Sequence, residues 1–292
     1  MNIYAISGAA TIALASTILF VLLAWCWQAL TQPLRGIVHF PACIMAEAAQ
    51  RFRDEIELLR RKQGIFLASV FVFAAVFVIA YVLAPQTLFD DMPPWELLIV
   101  LAILSAGGAY AGYRNLQVAI RRRRLVFVRD ANIATGQGLQ KLAGSQNRVF
   151  HEVPCAKSVI AHVVVGLHGV YAVHVVARRP GRHNKLRLQS NRLLFAPGRH
   201  SISLSEFTDL SERLARELRK ALKIALRVRT VLAVPGWEIE QQAGDASLVV
   251  NERSLVMLRG WTHPDDHLMH EDVEKLQALL TERCTRSNPR HP

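Results

Sequence analysis

Residues 159–176 read VIAHVVVGLHGVYAVHVV, and this stretch decides the fold of the second half of the chain. Two runs rich in valine, 159–165 and 170–176, are separated by four residues that begin and end with glycine. Side chains branched at the β-carbon favour extended backbone, and glycine favours a tight turn. The stretch therefore predicts two antiparallel strands joined as a hairpin.

Helix and strand patterns alternate on both sides of this hairpin. Apolar residues three or four positions apart predict helices over 132–142, from Ser203 to about 226, and over 272–282. Ser203 and Glu206 have the spacing of a capping box. Short apolar runs predict strands at 149–153, 186–188, 192–195, 230–234, 247–250 and 255–258, of which the second and third pair as edge strands. The order helix, three strands, helix, strand predicts an α/β domain.

The composition divides the chain into two regions of different character. It is 51% hydrophobic with a mean hydropathy of +0.20, yet its formal net charge is +12. Only six of its 35 Lys and Arg residues precede position 114, against seven of its 23 Asp and Glu residues, so the excess positive charge lies in residues 114–292. The apolar content excludes a largely disordered chain. Four widely scattered cysteines exclude a secreted fold built on disulfides.

Residues 1–113 are predicted to form an all-α transmembrane region. Three stretches with few or no charged residues predict spans at about 5–29, 65–84 and 96–113, because about 20 apolar residues cross the hydrocarbon layer as a helix. The alternatives are a cleaved signal peptide for the first stretch and a buried core helix for the third. The loop 31–62 is expected to form a cytoplasmic helix that lies on the membrane or runs into the second span.

The distribution of Lys and Arg predicts how the spans are oriented. The loop 31–62 holds six such residues and 85–96 holds none, whereas Arg114 and a run of four arginines follow the third span. Since basic loops stay cytoplasmic, the N-terminus is predicted outside and the C-terminal domain in the cytoplasm, as in a multi-pass protein of a bacterial-type inner membrane. Residues 114–129 form a basic juxtamembrane linker, in which lipid headgroups or nucleic acid are the candidate partners of Arg121, Arg122, Arg123 and Arg124.

The hairpin, together with residues 148–153 (RVFHEV), resembles the centre of the NERD domain, the nuclease-related domain. The usual text of that family is I-D-H-V-V-V-G-x-x-G-V-F-V-I-E-x-K. The likeness covers about 130–283, and residues 284–292 are expected to be a disordered tail. The resemblance implies a restriction-endonuclease-like mixed sheet flanked by helices, and it implies metal-dependent cleavage of DNA as the activity of the family.

This chain departs from the family text at the positions that carry the chemistry. The metal-binding Asp falls on Ala161, the Glu on His174, the Lys on Val176, and the Glu of the first helix on Gln137. Magnesium needs oxygen ligands, and valine cannot stabilise a phosphoryl transition state as an ammonium group does. The resemblance therefore implies a pseudonuclease. We expect no metal, no cofactor and no small-molecule substrate, because no phosphate-binding or dinucleotide motif is present either.

Two histidine groups offer alternatives to this interpretation. An active nuclease with relocated ligands would use Glu152 and His174, because imidazole suits zinc. His162 is expected to be structural, since it points away from Ala161 across the strand. A second group consists of His263, Asp266, His267 and His270, for which an exposed polar helix start is the favoured interpretation.

The basic residues of the second region indicate an anionic or protein partner. One set follows the hairpin and comprises Arg178, Arg179, Arg182, Lys185, Arg187 and Arg192. A second set lies in the helix after Ser203 and beyond it, and comprises Arg213, Arg216, Arg219, Lys220, Lys223, Arg227 and Arg229. A membrane surface or a protein partner is favoured over nucleic acid. A structural subunit of a membrane complex is the third hypothesis, and the small residues Gly107, Gly108, Ala111 and Gly112 would permit a homo-oligomer.

Overall fold

The computed structural model describes residues 45–83, 94–144, 147–156, 158–180, 184–189, 191–196, 200–241 and 247–285. The chain divides into two compact units. The first unit comprises Met1–Pro41 and Glu55–Arg124, and the second, which we call the α/β unit, comprises Ala42–Asp54 and Leu125–Pro292.

Two long helices cover most of the described N-terminal half. Helix α1 is Gln50–Leu83 and helix α2 is Pro94–Leu142. The predicted spans 65–84 and 96–113 fall largely on these helices, residues 114–129 belong to α2, and the predicted span 5–29 lies outside the described residues. Within the part of the chain that the structure describes, no helix is both long and apolar enough to cross a membrane. The transmembrane region therefore stays a prediction from the sequence.

The α/β unit contains two mixed sheets flanked by helices. The strands are β1 Arg148–Cys155, β2 Ser158–Gly166, β3 Gly169–Val175, β4 Lys185–Gln189, β5 Arg192–Phe195, β6 His200–Ser203, β7 Val228–Ala233, β8 Glu238–Gln241 and β9 Ser247–Val250. The first sheet has the order β1-β2-β3-β7-β9, in which β2 is antiparallel to both β1 and β3, and β7 is parallel to both β3 and β9. The second sheet has the order β6-β5-β4-β8. Helix α3 is Ser205–Leu222 and helix α4 is His270–Cys284. The predicted α/β class is thus confirmed.

The predicted hairpin is confirmed as β2 and β3. Gly166 pairs with Gly169 at its turn, and Gly169 has a φ of 119°, a backbone conformation that favours glycine. A Cβ atom at Gly169 would also lie 3.2 Å from the carbonyl oxygen of Asp266. The turn therefore needs glycine both for its backbone and for the close approach of a distant segment.

Apolar side chains cover both faces of the first sheet. On one face, Phe150 and Ile160 pack with Leu214 of α3 and Leu276 of α4. On the other face, side chains from the end of α2 and from the 3₁₀-helix Ser254–Arg259 pack against β3, β7 and β9. A third cluster joins the second sheet to the end of β7 and includes Phe195 and Trp237.

Three local predictions are wrong. Leu255 to Leu258 form part of the 3₁₀-helix rather than a strand, because the Asn251 side chain accepts hydrogen bonds from the backbone of Arg253 and Ser254 and turns the chain. The capping box is not formed, since Ser203 belongs to β6 and Leu204 is the N-cap residue of α3. The strands predicted as edges, now β4 and β5, lie inside the second sheet because β6 and β8 cover them.

Candidate functional site

Three of the four positions that the resemblance aligns with the nuclease motif lie on β2, on β3 or directly after β3. In the register of the hairpin, His162 pairs with Val173. Continued by one residue, this register brings Ala161 opposite His174. His174 is 5% exposed and Val176 is 7% exposed, whereas Ala161 is half-buried. Gln137 is exposed on α2. The structure thus gathers three of the four positions at one end of the hairpin and fills two of them with buried side chains.

His174 is held by helix α3 as a neutral side chain. Its Nε2 lies 3.0 Å from the hydroxyl oxygen of Ser211, and its ring lies 5.3 Å from the ring of Phe207, centroid to centroid. The contact engages Nε2 of His174 in either tautomer: Nε2 donates to Ser211 when the Ser211 hydroxyl donates to the Phe207 carbonyl oxygen, and it accepts when that hydroxyl donates to the ring. Burial lowers the pKa of His174 to about 4. Its Nε2 is therefore not available as a metal ligand.

Val176 lies in the apolar cluster beneath the second sheet. It packs in the same cluster as Leu186, Leu232 and Val249, and its backbone N–H donates to the carbonyl oxygen of Ala233 at 2.9 Å. A charged side chain at this position would lose its hydration without a partner, which is strongly unfavourable. The position that would carry the catalytic Lys is thus part of the hydrophobic core.

Glu152 caps the N-terminus of helix α1, whose first residues belong to the α/β unit. Both of its carboxylate oxygens accept from the backbone N–H of Arg51, at 3.1 Å each, next to the first residue of α1. A carboxylate at a helix N-terminus satisfies a free N–H group and meets the positive end of the helix dipole. Glu152 has a φ of 53°, and Phe150 and Val153 on either side of it both enter the same apolar cluster. The alternation of faces along β1 is therefore reset at Glu152.

A buried pair of histidines joins β1 to β2. His151 and His162 stand opposite each other, and their Nδ1 atoms are 2.8 Å apart. Only one of these atoms can carry the shared proton, and burial disfavours the charged form of either ring. Burial, and after it the neighbouring His151, lowers the pKa of His162 to about 3, and burial also lowers the pKa of His151. The structural role expected for His162 agrees with this geometry.

Two glycines of α2 allow this close packing. A Cβ atom at Gly136 would lie 2.9 Å from the Cβ atom of Ala48 and 3.3 Å from Cε1 of His162, and one at Gly138 would lie 2.4 Å from Leu255. In the sequence, the signal for this packing was two glycines inside a predicted helix, where each glycine lowers helix stability by about 1 kcal/mol relative to alanine. Such residues indicate that another segment packs closely against the helix, but they do not identify that segment.

The second histidine group is a turn with one buried carboxylate. Its centre is the 3₁₀-helix Pro264–Asp266, where His263 accepts a hydrogen bond from the backbone of Asp265. The prediction of an exposed start is wrong for Asp266, whose side chain is 2% exposed because the turn packs against Gly169. Among the described residues, no group of three His, Cys, Asp or Glu side chains is placed to hold a metal ion.

Asp266 belongs to a buried polar network that the sequence did not indicate. Arg229 Nε lies 2.7 Å from Asp266 Oδ2, but without the alignment of a hydrogen bond, so the two groups are linked chiefly by charge. The Arg229 guanidinium also lies 4.3 Å from the Trp261 ring centroid and donates to the Trp261 carbonyl oxygen at 3.0 Å. Tyr171 contacts the same carbonyl through its hydroxyl. Arg229 was predicted to belong to a basic surface, but its side chain is only 10% exposed and pairs with the buried Asp266.

The first predicted basic set is largely occupied by contacts within the α/β unit. Lys185 and Arg187 both pair with Glu240, at 2.5 and 2.7 Å. The Arg178 guanidinium lies 4.8 Å from the ring centroid of Phe195, and that of Arg179 lies 5.7 Å from the ring centroid of Phe127. Arg182 lies outside the described residues. These contacts reduce the charge that the set offers to a partner.

In the run of four arginines in α2, two side chains contact other side chains and two are exposed. Arg121 pairs with Glu55 at 2.5 Å, and Arg122 donates to the side chain of Gln63 at 3.0 Å, all within the first unit. Arg123 and Arg124 are exposed. Half of the run is therefore tied to neighbouring side chains of its own unit.

The members of the second predicted basic set that lie on helix α3 are exposed. Arg213, Arg216 and Lys220 lie three or four positions apart, so they share one side of the helix, and all three are exposed. In the described part of the chain, these side chains form no ion pair, and neither do the exposed Lys223 and Arg227. We call Arg213, Arg216, Arg219, Lys220 and Lys223 the basic end of α3.

Comparisons with protein-family models, with curated proteins and with solved structures give no match for this chain. The class of protein must therefore be argued from its residues and from the geometry described above.

Proposed function

We propose that the chain is a membrane-anchored, NERD-like pseudonuclease that acts as a binding or scaffold module at the cytoplasmic face of a bacterial-type inner membrane. One observation carries this proposal. The positions that match the nuclease motif hold Ala161, a His174 whose Nε2 is occupied by Ser211, and a Val176 inside the hydrophobic core. Such a set offers neither oxygen ligands to a hard cation nor a positive charge to a phosphate.

The topology of the first sheet supports the nuclease-like assignment. An antiparallel meander, β1 to β3, is preceded by α2 and followed, through α3, by a fourth strand, β7, parallel to β3. This agrees with the mixed sheet flanked by helices that the resemblance implies. The second sheet, whose first three strands come between β3 and α3, is an addition to that core.

The membrane anchor rests on the sequence. The uncharged stretches, and the excess of Lys and Arg in loop 31–62 and after residue 113, support three spans with a cytoplasmic C-terminal domain. Such an anchor would hold the α/β unit permanently close to the anionic lipid headgroups of the membrane. A structural subunit of a membrane complex remains an alternative that uses the same anchor.

We expect the full chain in zwitterionic nanodiscs to bind neither Mg²⁺ nor Mn²⁺ in the α/β unit and to leave DNA uncut. Calorimetry against empty nanodiscs and a plasmid-nicking assay measure the two quantities. The alternative of relocated ligands predicts the opposite. Metal-dependent nicking that His174→Ala abolishes, while Glu240→Gln leaves it intact, would overturn the pseudonuclease proposal.

The basic end of α3 is the surface that we propose for the anionic partner. Its positive side chains have no ion-pair partner in the described part of the chain, unlike Lys185 and Arg187. The described part of the α/β unit exposes no Phe, Tyr or Trp side chain on which bases could stack. The first half of α3 exposes Glu206, Asp209 and Glu212, which would repel a phosphate chain laid along the helix. A lipid surface fits this local patch better than a nucleic acid does.

Arg216→Gln combined with Lys220→Gln should weaken capture of phosphatidylglycerol vesicles by the nanodisc-embedded chain by about thirtyfold at low salt. The reason is the loss of roughly 1 kcal/mol per basic residue near an anionic surface. The matched control removes the same formal charge through Lys185→Gln with Arg187→Gln and should have a smaller effect. Equal losses in both variants would contradict the assigned surface, and capture of duplex DNA but not of vesicles would favour the nucleic-acid partner.

A further inference from the structure

A cavity of about 310 Å³ opens on the α2 side of the first sheet. Its apolar walls come from the last turns of α2, from β2 and from the 3₁₀-helix, and consist of Leu139, Leu142, Val164 and Leu258. All of its lining residues belong to the α/β unit. The cavity is separate from Ala161, His174 and Val176, and none of these three residues lines it.

The formal charge in the cavity lining comes from Arg259. Asn147, His168 and Tyr171 are its other polar side chains, and no carboxylate lines the cavity. The Tyr171 hydroxyl, which also lines it, has its proton engaged by the carbonyl oxygens of His168 and Trp261. The one hydrogen bond of the exposed Arg259 side chain in the described part of the chain is a long contact of 3.4 Å with the carbonyl oxygen of Lys141. The guanidinium is therefore available to an anion.

Arg259 is the last residue of the 3₁₀-helix Ser254–Arg259, which is anchored to the first sheet beside the cavity. Leu255 and Leu258 are buried and fix the helix against the sheet. Val256 and Met257 are 61% and 56% exposed, so apolar surface continues from the helix into solvent. Arg253 is exposed at the other end of the same helix and does not line the cavity.

We propose that this cavity binds a small amphipathic anion, an aryl or short acyl carboxylate, with its apolar body between the leucines and its carboxylate on Arg259. Ligand pockets are mostly apolar with a few placed polar groups, and this volume lies at the small end of their ~300–1,000 Å³ range. Guanidinium is the side chain best suited to bidentate binding of carboxylate. This inference is independent of the pseudonuclease proposal and of the basic end of α3.

The test compares 2-naphthoate with the neutral 2-naphthamide by calorimetry on the full chain in zwitterionic nanodiscs, with empty nanodiscs as the blank. The carboxylate should bind about fivefold more tightly than the amide, as one partly exposed charge pair allows. Arg259→Gln should abolish this difference, whereas Arg253→Gln should preserve it. Equal binding of the two ligands, equal effects of the two substitutions, or no binding of 2-naphthoate would each overturn the proposal.

A second variant tests the position of the ligand. Gly144 also lines the cavity, and no atom lies within 4 Å of a Cβ atom built there, so Gly144→Trp can place a large side chain without a clash at Cβ. It should block both ligands while leaving the thermal unfolding midpoint within a few degrees. Unchanged binding of 2-naphthoate by Gly144→Trp would show that the ligand lies elsewhere and overturn the assignment.

Discussion

Acidification from pH 7 to pH 4.5 is expected to remove about 5 kcal/mol from the free energy of unfolding of the α/β unit. His162 and His174 have pKa values of about 3 and about 4 in the folded unit, because burial disfavours their charged forms. In the unfolded chain a histidine titrates near 6.5. Below pH 6.5 the unfolded state therefore binds protons that the folded state does not bind. Between the unfolded and folded pKa values, each histidine lowers the free energy of unfolding by about 1.4 kcal/mol for each pH unit of acidification.

The sign of this linkage defines the pH window. Stability from these histidines is complete above about pH 6.5 and is lost as the pH falls towards their folded pKa values. A loss of about 5 kcal/mol is comparable to the whole stability of a typical domain. The buried pair of His151 and His162 adds to the effect, because the pKa of His151 is lowered as well.

Urea unfolding of the nanodisc-embedded chain between pH 7.5 and pH 4.5, followed by circular dichroism, measures this dependence. His174→Phe should reduce the slope of unfolding free energy against pH by about one proton. Val176→Ala serves as the control, since it removes apolar contacts without removing a titrating group and should lower stability at every pH equally. A free energy of unfolding that stays flat or rises on acidification would contradict the prediction.

Asp266→Ala is expected to lower the free energy of unfolding by about 3–5 kcal/mol, the usual effect of breaking a buried ion pair from one side. The Arg229 side chain is 10% exposed, so the substitution leaves a buried guanidinium without its counter-charge. The Trp261 ring and carbonyl oxygen would still contact that guanidinium, but neither carries a negative charge. Denaturant unfolding at neutral pH measures the loss.

Two controls separate the ion pair from general damage. Glu240→Gln removes the partner of Lys185 and Arg187, which are 49% and 60% exposed, and should lower the free energy of unfolding far less than Asp266→Ala does, because solvent screens an exposed pair. Arg229→Met with Asp266→Leu removes both charges and should recover most of the stability lost in Asp266→Ala. A double variant as unstable as the single one would mean that shape, and not charge, governs the site.

Much of the α/β unit follows from local sequence patterns. The hairpin, β1, β7, β9, α3 and α4 were all predicted close to their observed places, because each depends on a run of side chains that repeats every two residues or every three to four. The 3₁₀-helix Ser254–Arg259 was predicted as a strand, because short apolar runs do not distinguish the two and the Asn251 side chain decided the outcome.

The candidate site was only half predictable. By its resemblance to the NERD domain, the sequence pointed to Ala161, His174 and Val176 as the positions to inspect. It did not show that Ser211 and Phe207 from α3 would occupy His174, nor that Glu152 would cap α1. These contacts join residues 33 to 101 positions apart in the chain, and no local pattern encodes such a pairing.

The sequence by itself determined the α/β class, the hairpin, and the division into an apolar and a basic region. Those properties depend on which side chains are present and on their spacing, and spacing along one strand or helix fixes a face. Tertiary structure alone decided which charges are free. The Arg229 side chain became mostly buried against Asp266, Lys185 and Arg187 came to share the carboxylate of Glu240, and the basic end of α3 kept no ion-pair partner in the described part of the chain. The physical reason is that the effect of a charge depends on its neighbours in space and on its distance from water.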